Sequence, residues 1–336
     1  MSGAFPDDET IRAALALAVR APSIHNSQPW LWRIGEHTVH LYADNGRHLP
    51  HTDPASRQLI LSCGVALQHF TVALAALGWQ AHVHRLPNPA QLDHLASIEL
   101  LPSAGSEQDI ALAAAIPRRR TDRRWYSSWP VPGGDIAQMA ARAARSGVVL
   151  RRVDDPGELT AVLASAVHQH ASDADYLAEL ALWSGRHGSV AGVPARNSPA
   201  PPPASAKGFA GLPGRAFASP ALPQPSGAES RDDAGVVLVL GTSNDDSMSL
   251  LRAGEATGVV LLTATALGLA SCPLTEPLEI DNTREIVRSL ALDGDGFPQM
   301  LLRIGWAPLN ADPLPATPRR PLADVVQRLD GASISL

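Results

Sequence analysis

Residues 21–30 read APSIHNSQPW, and the rest of the chain is arranged around this stretch. Pro22 disfavours helical geometry at the residue before it, so a preceding helix should end at Ala21. Pro29 has no backbone N–H and imposes an extended backbone on the residues after it. Between the prolines lie side chains that can form hydrogen bonds, namely Ser23, His25, Asn26, Ser27 and Gln28. Two interpretations stay open: a surface turn rich in Ser and Asn, or a rigid polar loop that holds a planar ligand.

Helical and strand periods alternate on both sides of this loop. Helices are predicted over residues 8–20, 53–77, 110–116, 135–145, 156–170, 173–184, 247–268, 281–290 and 321–329. Strands are predicted over residues 31–34, 39–42, 80–85, 94–101, 147–153, 236–240 and 299–305. Asp53 and Pro54 suit the N-cap and first turn of the second helix, which should end at Gly78.

The composition of the 336-residue chain limits what it can bind. A net charge of −6 at pH 7 argues against a nucleic-acid partner, since phosphate backbones need a broad basic face. Cys63 and Cys272 are too far apart for a metal-binding spacing, and no metal site is predicted. Residues 256–274 carry no charge, but their threonines and glycines favour a buried core helix over a membrane span. No signal peptide is evident, so a cytoplasmic protein with no membrane partner is expected.

Arginine supplies almost all of the positive charge, because Lys207 is the one lysine in the sequence. Any anion site must therefore be built from arginine and backbone N–H groups. Residues 117–126 read PRRRTDRRWY and contain five arginines, namely Arg118, Arg119, Arg120, Arg123 and Arg124. Guanidinium groups recognise phosphate through paired, charge-assisted hydrogen bonds. The cluster predicts either a phosphate-binding segment or a solvated basic patch.

Residues 186–232 differ in composition from the rest of the chain. They are dense in Pro, Gly, Ala and Ser, including Pro199 and residues 201–203. The segment is far longer than an ordinary connection inside a compact domain. It is either a disordered linker or a functional loop, such as a lid over a site.

Two long apolar helices suggest an internal repeat. Residues 64–78 and 254–268 both begin and end in glycine, and each is followed by a short extended segment. Short apolar helices match easily by chance, so the similarity is weak evidence by itself. Small glycines on both helices would allow their backbones to approach closely.

The loop and the arginine cluster resemble the signatures of one known family, the FMN-dependent nitroreductases. Residues 22–30 match the family's P-S-x-x-N-x-Q-P-W pattern at Pro22, Ser23, Asn26, Gln28, Pro29 and Trp30. Residues 119–123 are similar to its R-x-[ST]-x-[RK] phosphate signature, and residues 317–320, TPRR, resemble its C-terminal basic pair. The combination looks closest to the Acg-type NAD(P)H nitroreductases of actinobacteria.

The resemblance implies which residues would bind FMN. The arginines and Thr121 would hold the phosphate, while Ser23 and Asn26 would form hydrogen bonds to the ring. Thr275 and Glu276 fall where the family passes the flavin ring. The full implied set is Pro22, Ser23, Ile24, Asn26, Gln28, Arg119, Thr121, Arg123, Thr275, Glu276, Arg319 and Arg320. No catalytic acid or base is implied.

The resemblance also implies an α+β, nitroreductase-like fold made of two fused half-repeats. The halves would be residues 1–116 and 117–336, with residues 186–232 as an insertion. Family members are dimers in which the loop of one subunit meets the arginines of the other. Here the first half keeps the loop and the second keeps the arginines. A monomeric pseudo-dimer with one FMN per chain is therefore expected.

Three functions are consistent with these features. In the first, an FMN oxidoreductase passes electrons from NAD(P)H to a nitroaromatic or quinone-like small molecule. In the second, the insertion seals the flavin, and the protein stores or sequesters FMN with little or no turnover. The third, a binding module without flavin, leaves both the loop and the arginine cluster unexplained.

Overall fold

The computed structural model describes residues 5–185, 188–201, 212, 214–225, 233–308 and 310–330. Its helices are α1 Asp8–Ala18, α2 Arg57–Ala76, α3 Glu107–Ala115, α4 Gly133–Ala144, α5 Pro156–Ala171, α6 Ala174–Leu182, α7 Ser247–Ala266 and α8 Asp281–Leu292. Its strands are β1 Trp30–Ile34, β2 Thr38–Ala43, β3 Trp79–Arg85, β4 His94–Pro102, β5 Val149–Arg152, β6 Val236–Thr242, β7 Ala270–Leu274, β8 Phe297–Gly305 and β9 Val326–Arg328. Most predicted elements are present with ends shifted by a few residues, and the α+β class is confirmed.

The strands form two sheets that share one topology. The first sheet has the order β3-β4-β2-β1-β9, and the second has the order β7-β8-β6-β5. Within the four-strand units every pairing is antiparallel. In each unit a preceding helix, α1 or α4, packs on the long helix, α2 or α7. Both units therefore share the order helix, two strands, long helix, two strands, and in the second unit α5 and α6 are inserted between β5 and β6 and α8 between β7 and β8.

The repeat extends to the register of the strands. Val39 of β2 faces Ile98 of β4, as Leu238 of β6 faces Leu302 of β8. The register of β2 shifts after Leu41, and that of β6 shifts at the equivalent point, after Leu240. A bulge is a specific structural feature, so its recurrence at one position is stronger evidence of a repeat than the apolar helices.

The two long helices cross at a pair of glycines. A Cβ on Gly64 would lie 2.2 Å from the carbonyl oxygen of Leu251, and one on Gly254 would lie 2.1 Å from that of Leu61. Gly254 lies 190 positions after Gly64, and Leu251 lies 190 positions after Leu61, so each helix offers the other the same surface. Only glycine permits this approach. The expectation that small residues bring the two helix backbones together is confirmed.

Most of the two long helices is buried in this interface. Among the helices of the described residues, α2 is long and apolar enough to cross a membrane, yet most of that stretch lies inside the fold. The buried residues of α7 extend from Ser249 to Ala264. The predicted core helix in residues 256–274 is therefore confirmed for its helical part, and β7 follows it.

The predicted C-terminal helix over residues 321–329 is wrong. A short 3-10 turn, Leu322–Asp324, leads instead into β9, which pairs in parallel with β1. Val325 and Val326 are buried, and the carbonyl of Val325 accepts a hydrogen bond from the Trp32 N–H. The open edge of β1 supplied partners that are distant in sequence, and these outweighed the local helical pattern.

The start of α2 also differs from the prediction. Asp53 and Pro54 lie in a turn before the helix, which begins at Arg57 after Ser56 adopts a left-handed φ of 56°. Asp53 still satisfies the helix end, because its Oδ2 accepts a hydrogen bond from the Leu59 N–H at 2.9 Å. The side chain caps the helix from outside it, a geometry that spacing alone does not predict.

Candidate functional site

A cavity of about 210 Å³ lies where the loop, the arginine cluster and both long helices meet. One face of α2 lines it with Gln58, Leu61, Ser62 and Val65, which are spaced as neighbours on a single helical face. Ten of the predicted site residues also line it: Pro22, Ser23, Ile24, Asn26, Arg119, Thr121, Arg123, Thr275, Glu276 and Arg319. The fold therefore brings together motifs that are distant in sequence.

The loop lies in a strained conformation at the cavity wall. His25, Asn26 and Gln28 have φ values of 45°, 54° and 54°, in the left-handed region. Such residues cost on the order of 1–3 kcal/mol each when they are not glycine. Ser23 compensates by accepting a 2.9 Å hydrogen bond from the Gln28 N–H. Strain of this kind persists where the surrounding structure fixes it, as at binding sites.

The loop also holds two distant segments. The Asn26 Nδ2 donates to the carbonyls of Gly192 and Pro318, each at 3.1 Å. The Gln28 Nε2 donates to the Val190 carbonyl at 2.8 Å. Asn26 therefore faces the cavity while its amide nitrogen binds protein carbonyls.

Gln28 and Arg320 lie together outside the cavity lining. The Arg320 N–H donates to Gln28 Oε1 at 2.8 Å, and its Nη1 donates to Asp44 Oδ2 at 3.1 Å. This pair attaches the C-terminal segment to the loop. The C-terminal arginines thus divide, since Arg319 borders the cavity and Arg320 does not.

Arg119 and Arg319 form a buried corner of positive charge. Arg119 is 6% exposed, and its Nε and Nη1 have no hydrogen-bond partner in the described structure. The Arg319 Nε is also without a partner. Burial and the neighbouring guanidinium groups lower the pKa of Arg119 to about 10 and that of Arg319 to about 9. Unpaired buried donors on two adjacent cations indicate a site for an anion.

The remaining arginines of the cluster have different surroundings. Arg124 is paired with Asp122 at 2.9 Å. Arg123 donates to the Asn197 carbonyl at 3.0 Å, and its guanidinium lies 4.9 Å from the centre of the Phe217 ring. Arg123 therefore lies against a different wall of the cavity from Arg119.

Part of the Pro-rich insertion contributes to the wall of the cavity. We call its described residues, 188–201, 212 and 214–225, the arm. Several of them line the cavity, including Val193, Asn197, Pro199, Leu212, Arg215 and Phe217. The remaining insertion residues, among them Lys207, lie outside the described ranges.

Arg215 anchors the arm in a buried polar network. Its Nη2 donates to Glu279 Oε1 at 2.5 Å and to Thr275 Oγ1 at 3.2 Å, and its Nη1 donates to the Tyr176 hydroxyl. The same Nη1 lies 3.4 Å from His25 Nε2. Burial and the neighbouring arginines hold the pKa of His25 well below its ordinary value, so the neutral ring can accept this bond.

A second histidine completes this network. His170 stacks on Tyr176 with ring centres 3.9 Å apart. Its Nδ1 lies 3.2 Å from Glu276 Oε1, and its Nε2 lies 4.0 Å from Glu279 Oε2. The arm is therefore linked to Glu276, one of the predicted site residues, through buried side chains.

Sequence reasoning did not assign these network residues to the site. His25 lies inside residues 21–30, and Ser62, which lines the cavity, follows Gln58 at helical spacing. Both residues could therefore have been predicted from local sequence pattern. Arg215 had a weaker signal, as an isolated charge in a low-complexity segment. Glu279 and Tyr176 had none, because only the tertiary structure brings them to the arm.

The chain has a two-unit α+β fold with an arginine-lined cavity, and sequence comparison identifies its family. The Nitroreductase family model matches residues 116–306, and the chain belongs to that family. The family predicted from the loop and the arginine cluster is confirmed.

Similar proteins occur in Mycobacterium tuberculosis. "Putative NAD(P)H nitroreductase Rv3131" is 59% identical over 97% of this chain and 94% of its own length. "Putative NAD(P)H nitroreductase acg" is 38% identical over 94% of this chain and 95% of its own length. A Bacteroides fragilis nitroreductase crystallised with bound FMN aligns at a TM-score of 0.39 and 14% identity, over 60% of this chain and 90% of its own.

Proposed function

We propose that the chain binds FMN in the cavity and acts as an NAD(P)H-dependent oxidoreductase. The observation that carries this proposal is the set of buried guanidinium nitrogens without a hydrogen-bond partner, namely Nε and Nη1 of Arg119 and Nε of Arg319. In the described part of the chain neither forms an ion pair with a carboxylate, so a bound anion would remove an energetic cost. The cavity, at about 210 Å³, also far exceeds the 10–15 Å³ that one water needs, so it has room for a ligand larger than a simple ion.

The surroundings of each residue suggest its role. Arg119, Thr121 and Arg319 would hold the phosphate, because Arg119 and Arg319 have free donors there. Arg123, beside Phe217, would contact another part of the cofactor. FMN would supply the redox chemistry, taking electrons from NAD(P)H and passing them to a nitroaromatic or quinone-like acceptor. The residues of this chain would position the cofactor and exclude water.

The repeat supports one cofactor per chain. Val65 and Thr275 line the cavity, and the residues at the equivalent positions of the other repeat are Glu255 and Arg85. Those two form a bidentate ion pair, with Arg85 donating to Glu255 at 2.7 and 2.6 Å. Charged side chains thus replace the small cavity-lining ones. We propose that residues 1–116 and 117–336 are two fused subunits, that the chain works as a monomer, and that one site remains.

Flavin titration tests the proposal. Arg119→Gln should weaken FMN binding by about tenfold or more, the value of a charge-assisted hydrogen bond worth roughly 1.5–3 kcal/mol. Riboflavin has no phosphate, so its affinity should change little. Arg118→Gln is the matched control, because Arg118 is exposed in the same cluster. Equal FMN affinity in both variants and the parent would refute the phosphate assignment.

A second candidate function, FMN sequestration, is supported by the arm. Its residues line the cavity, and Arg215 fixes them through buried contacts. An arm that stays closed would keep both NAD(P)H and the acceptor away from the ring. Anaerobic NADPH addition separates the two functions: bleaching of bound flavin indicates an enzyme, while flavin that only dithionite reduces indicates sequestration. Replacing residues 193–224 with a short Gly/Ser link should then accelerate reduction.

A further inference from the structure

A second, small cavity adjoins the arginine corner. It has a volume of about 20 Å³ and is lined by Arg20, Ile116, Arg119, Arg120, Ala316, Thr317 and Arg319. Three of these residues, Arg119, Thr317 and Arg319, also line the larger cavity and so form a shared wall. Arg20 and Arg120 belong to the small cavity alone, and none of the implied FMN-binding residues contributes only to it.

The shared corner carries more positive charge than one phosphate ester neutralises. Arg20, Arg119, Arg120 and Arg319 each lack a carboxylate ion pair among the described residues. Burial and the neighbouring Arg20 lower the pKa of Arg120, as burial and nearby guanidinium groups do for Arg119 and Arg319. A phosphate monoester contributes a charge of about −1.5 to −2 at pH 7. Four guanidinium groups therefore leave an excess of about two positive charges.

Backbone carbonyls orient these side chains without neutralising them. Arg120 donates to the carbonyls of Leu314 and Pro117, at 3.2 and 2.8 Å. Arg319 donates to the carbonyls of Arg20 and Ala21, at 3.0 and 3.1 Å. The guanidinium groups are thus held in place around the wall. The unpartnered Nε and Nη1 of Arg119, which is 94% buried, lie on the residue that both cavities share.

We propose that this corner binds a second tetrahedral oxyanion beside the flavin phosphate, with Arg20 and Arg120 on its outer side. The inference rests on the proposed FMN site, whose phosphate would occupy the inner side of the same wall. The small cavity admits about one water-sized group, so the second anion would insert an oxygen there and leave the rest facing outward. Its source is either the second phosphate of a flavin diphosphate ester or free inorganic phosphate.

Flavin titrations of the flavin-free protein distinguish these two sources of the anion. FMN, FAD and riboflavin would be titrated by quenching of flavin fluorescence, with and without 10 mM inorganic phosphate. If the anion is the second phosphate of an ester, FAD binds at least as tightly as FMN, and Arg20→Gln or Arg120→Gln weakens FAD about tenfold and FMN less than twofold. If the second anion is free inorganic phosphate, added phosphate tightens FMN binding about tenfold in the parent and does not do so in either variant.

Two results would overturn the inference. One is that FAD binds no better than riboflavin while phosphate merely competes with FMN. The other is that Arg20→Gln and Arg120→Gln change FMN and FAD equally, as a general field effect would. Arg118→Gln serves again as the exposed control, and circular dichroism verifies that each variant is folded.

Failure of the FMN proposal gives a different pattern. If FMN and riboflavin bind equally or not at all, the FMN site is refuted. The corner is then tested by inorganic pyrophosphate alone, through the thermal midpoint. Pyrophosphate should raise the midpoint of the parent and raise that of Arg20→Gln and Arg120→Gln by less than half as much. An equal rise in all three proteins, or none in the parent, would overturn the second-anion site.

Discussion

Replacing Arg215 by methionine should release the arm and leave the rest of the fold intact. Methionine keeps an unbranched apolar side chain but removes every donor that contacts Glu279, Thr275 and Tyr176. Glu279 would remain, with its side chain 1% exposed, and its closest cation would then be His170 at 4.0 Å, if that ring is protonated. The variant therefore leaves a nearly uncompensated charge under the closed arm.

The expected cost follows from this burial. Removing one partner of a buried ion pair destabilises the closed state by about 3–5 kcal/mol, because the remaining charge stays desolvated. Opening the arm hydrates Glu279, so the cost should appear as local opening and not as global unfolding. At about 1.4 kcal/mol per tenfold change, the opening equilibrium should rise on the order of 10²–10³-fold.

Hydrogen exchange read by mass spectrometry measures this opening. Two of the amides that join the arm to the body are followed: Gly192, which donates to the Asn26 carbonyl, and Ala218, which donates to Ser184 Oγ. Their exchange should accelerate on the order of 10²–10³-fold in the variant. Peptides from α2 and α7 should exchange at the parent rate.

Two further variants make the test specific. Arg196→Met removes an exposed arginine from the same arm and should leave exchange unchanged. Arg215→Met combined with Glu279→Gln removes both charges and should recover much of the protection, since no buried carboxylate is left unpaired. Parent-like exchange in Arg215→Met would refute the anchoring role, as would equal effects in Arg215→Met and Arg196→Met.

Three other changes test the core and its ionised groups. Gly64→Ala should destabilise by about 3 kcal/mol in urea unfolding, because its Cβ meets the Leu251 oxygen, whereas exposed Gly134→Ala should be neutral or slightly stabilising. Burial raises the pKa of Asp53 to about 6, so the stabilising effect of its protonated form is lost as the pH rises from about 4 to 6. Asp53→Asn should therefore raise the free energy of unfolding by about 1–3 kcal/mol at pH 8 and leave it unchanged at pH 4. Burial and nearby Arg119 lower the pKa of His69 to about 3, so the stability that the neutral ring contributes is lost as the pH falls below 6.5. His69→Leu should therefore stay folded to a lower pH than the parent, as measured by circular dichroism.

Local chemistry made much of the fold predictable. The prolines at 22 and 29 bound the loop, periodicity located α1 to α8, and the glycines at 78 and 268 mark where α2 and α7 end. These signals act within a few residues, where backbone geometry and amphipathic spacing decide the outcome. The loop and the arginine cluster also identify the family from residue type and spacing alone.

The tertiary structure decided what depends on distant partners. The residues around Val326 pair as a strand because β1 has an open edge, which no local pattern reports. Arg119, Arg123 and Arg124 lie together in the sequence, but the fold places each in different surroundings. Arg119 has buried donors without a partner, Arg123 contacts the arm, and Arg124 pairs with Asp122.

The division of roles within the site has the same origin. The sequence by itself determined that a polar loop and an arginine cluster exist, because proline geometry and residue type are local properties. That Gln28 and Arg320 join each other outside the cavity, and that Arg215 reaches Glu279 beneath the arm, was decided only by the fold. Hydrogen bonds and ion pairs form between groups that packing brings within about 3 Å, and packing is a property of the whole chain.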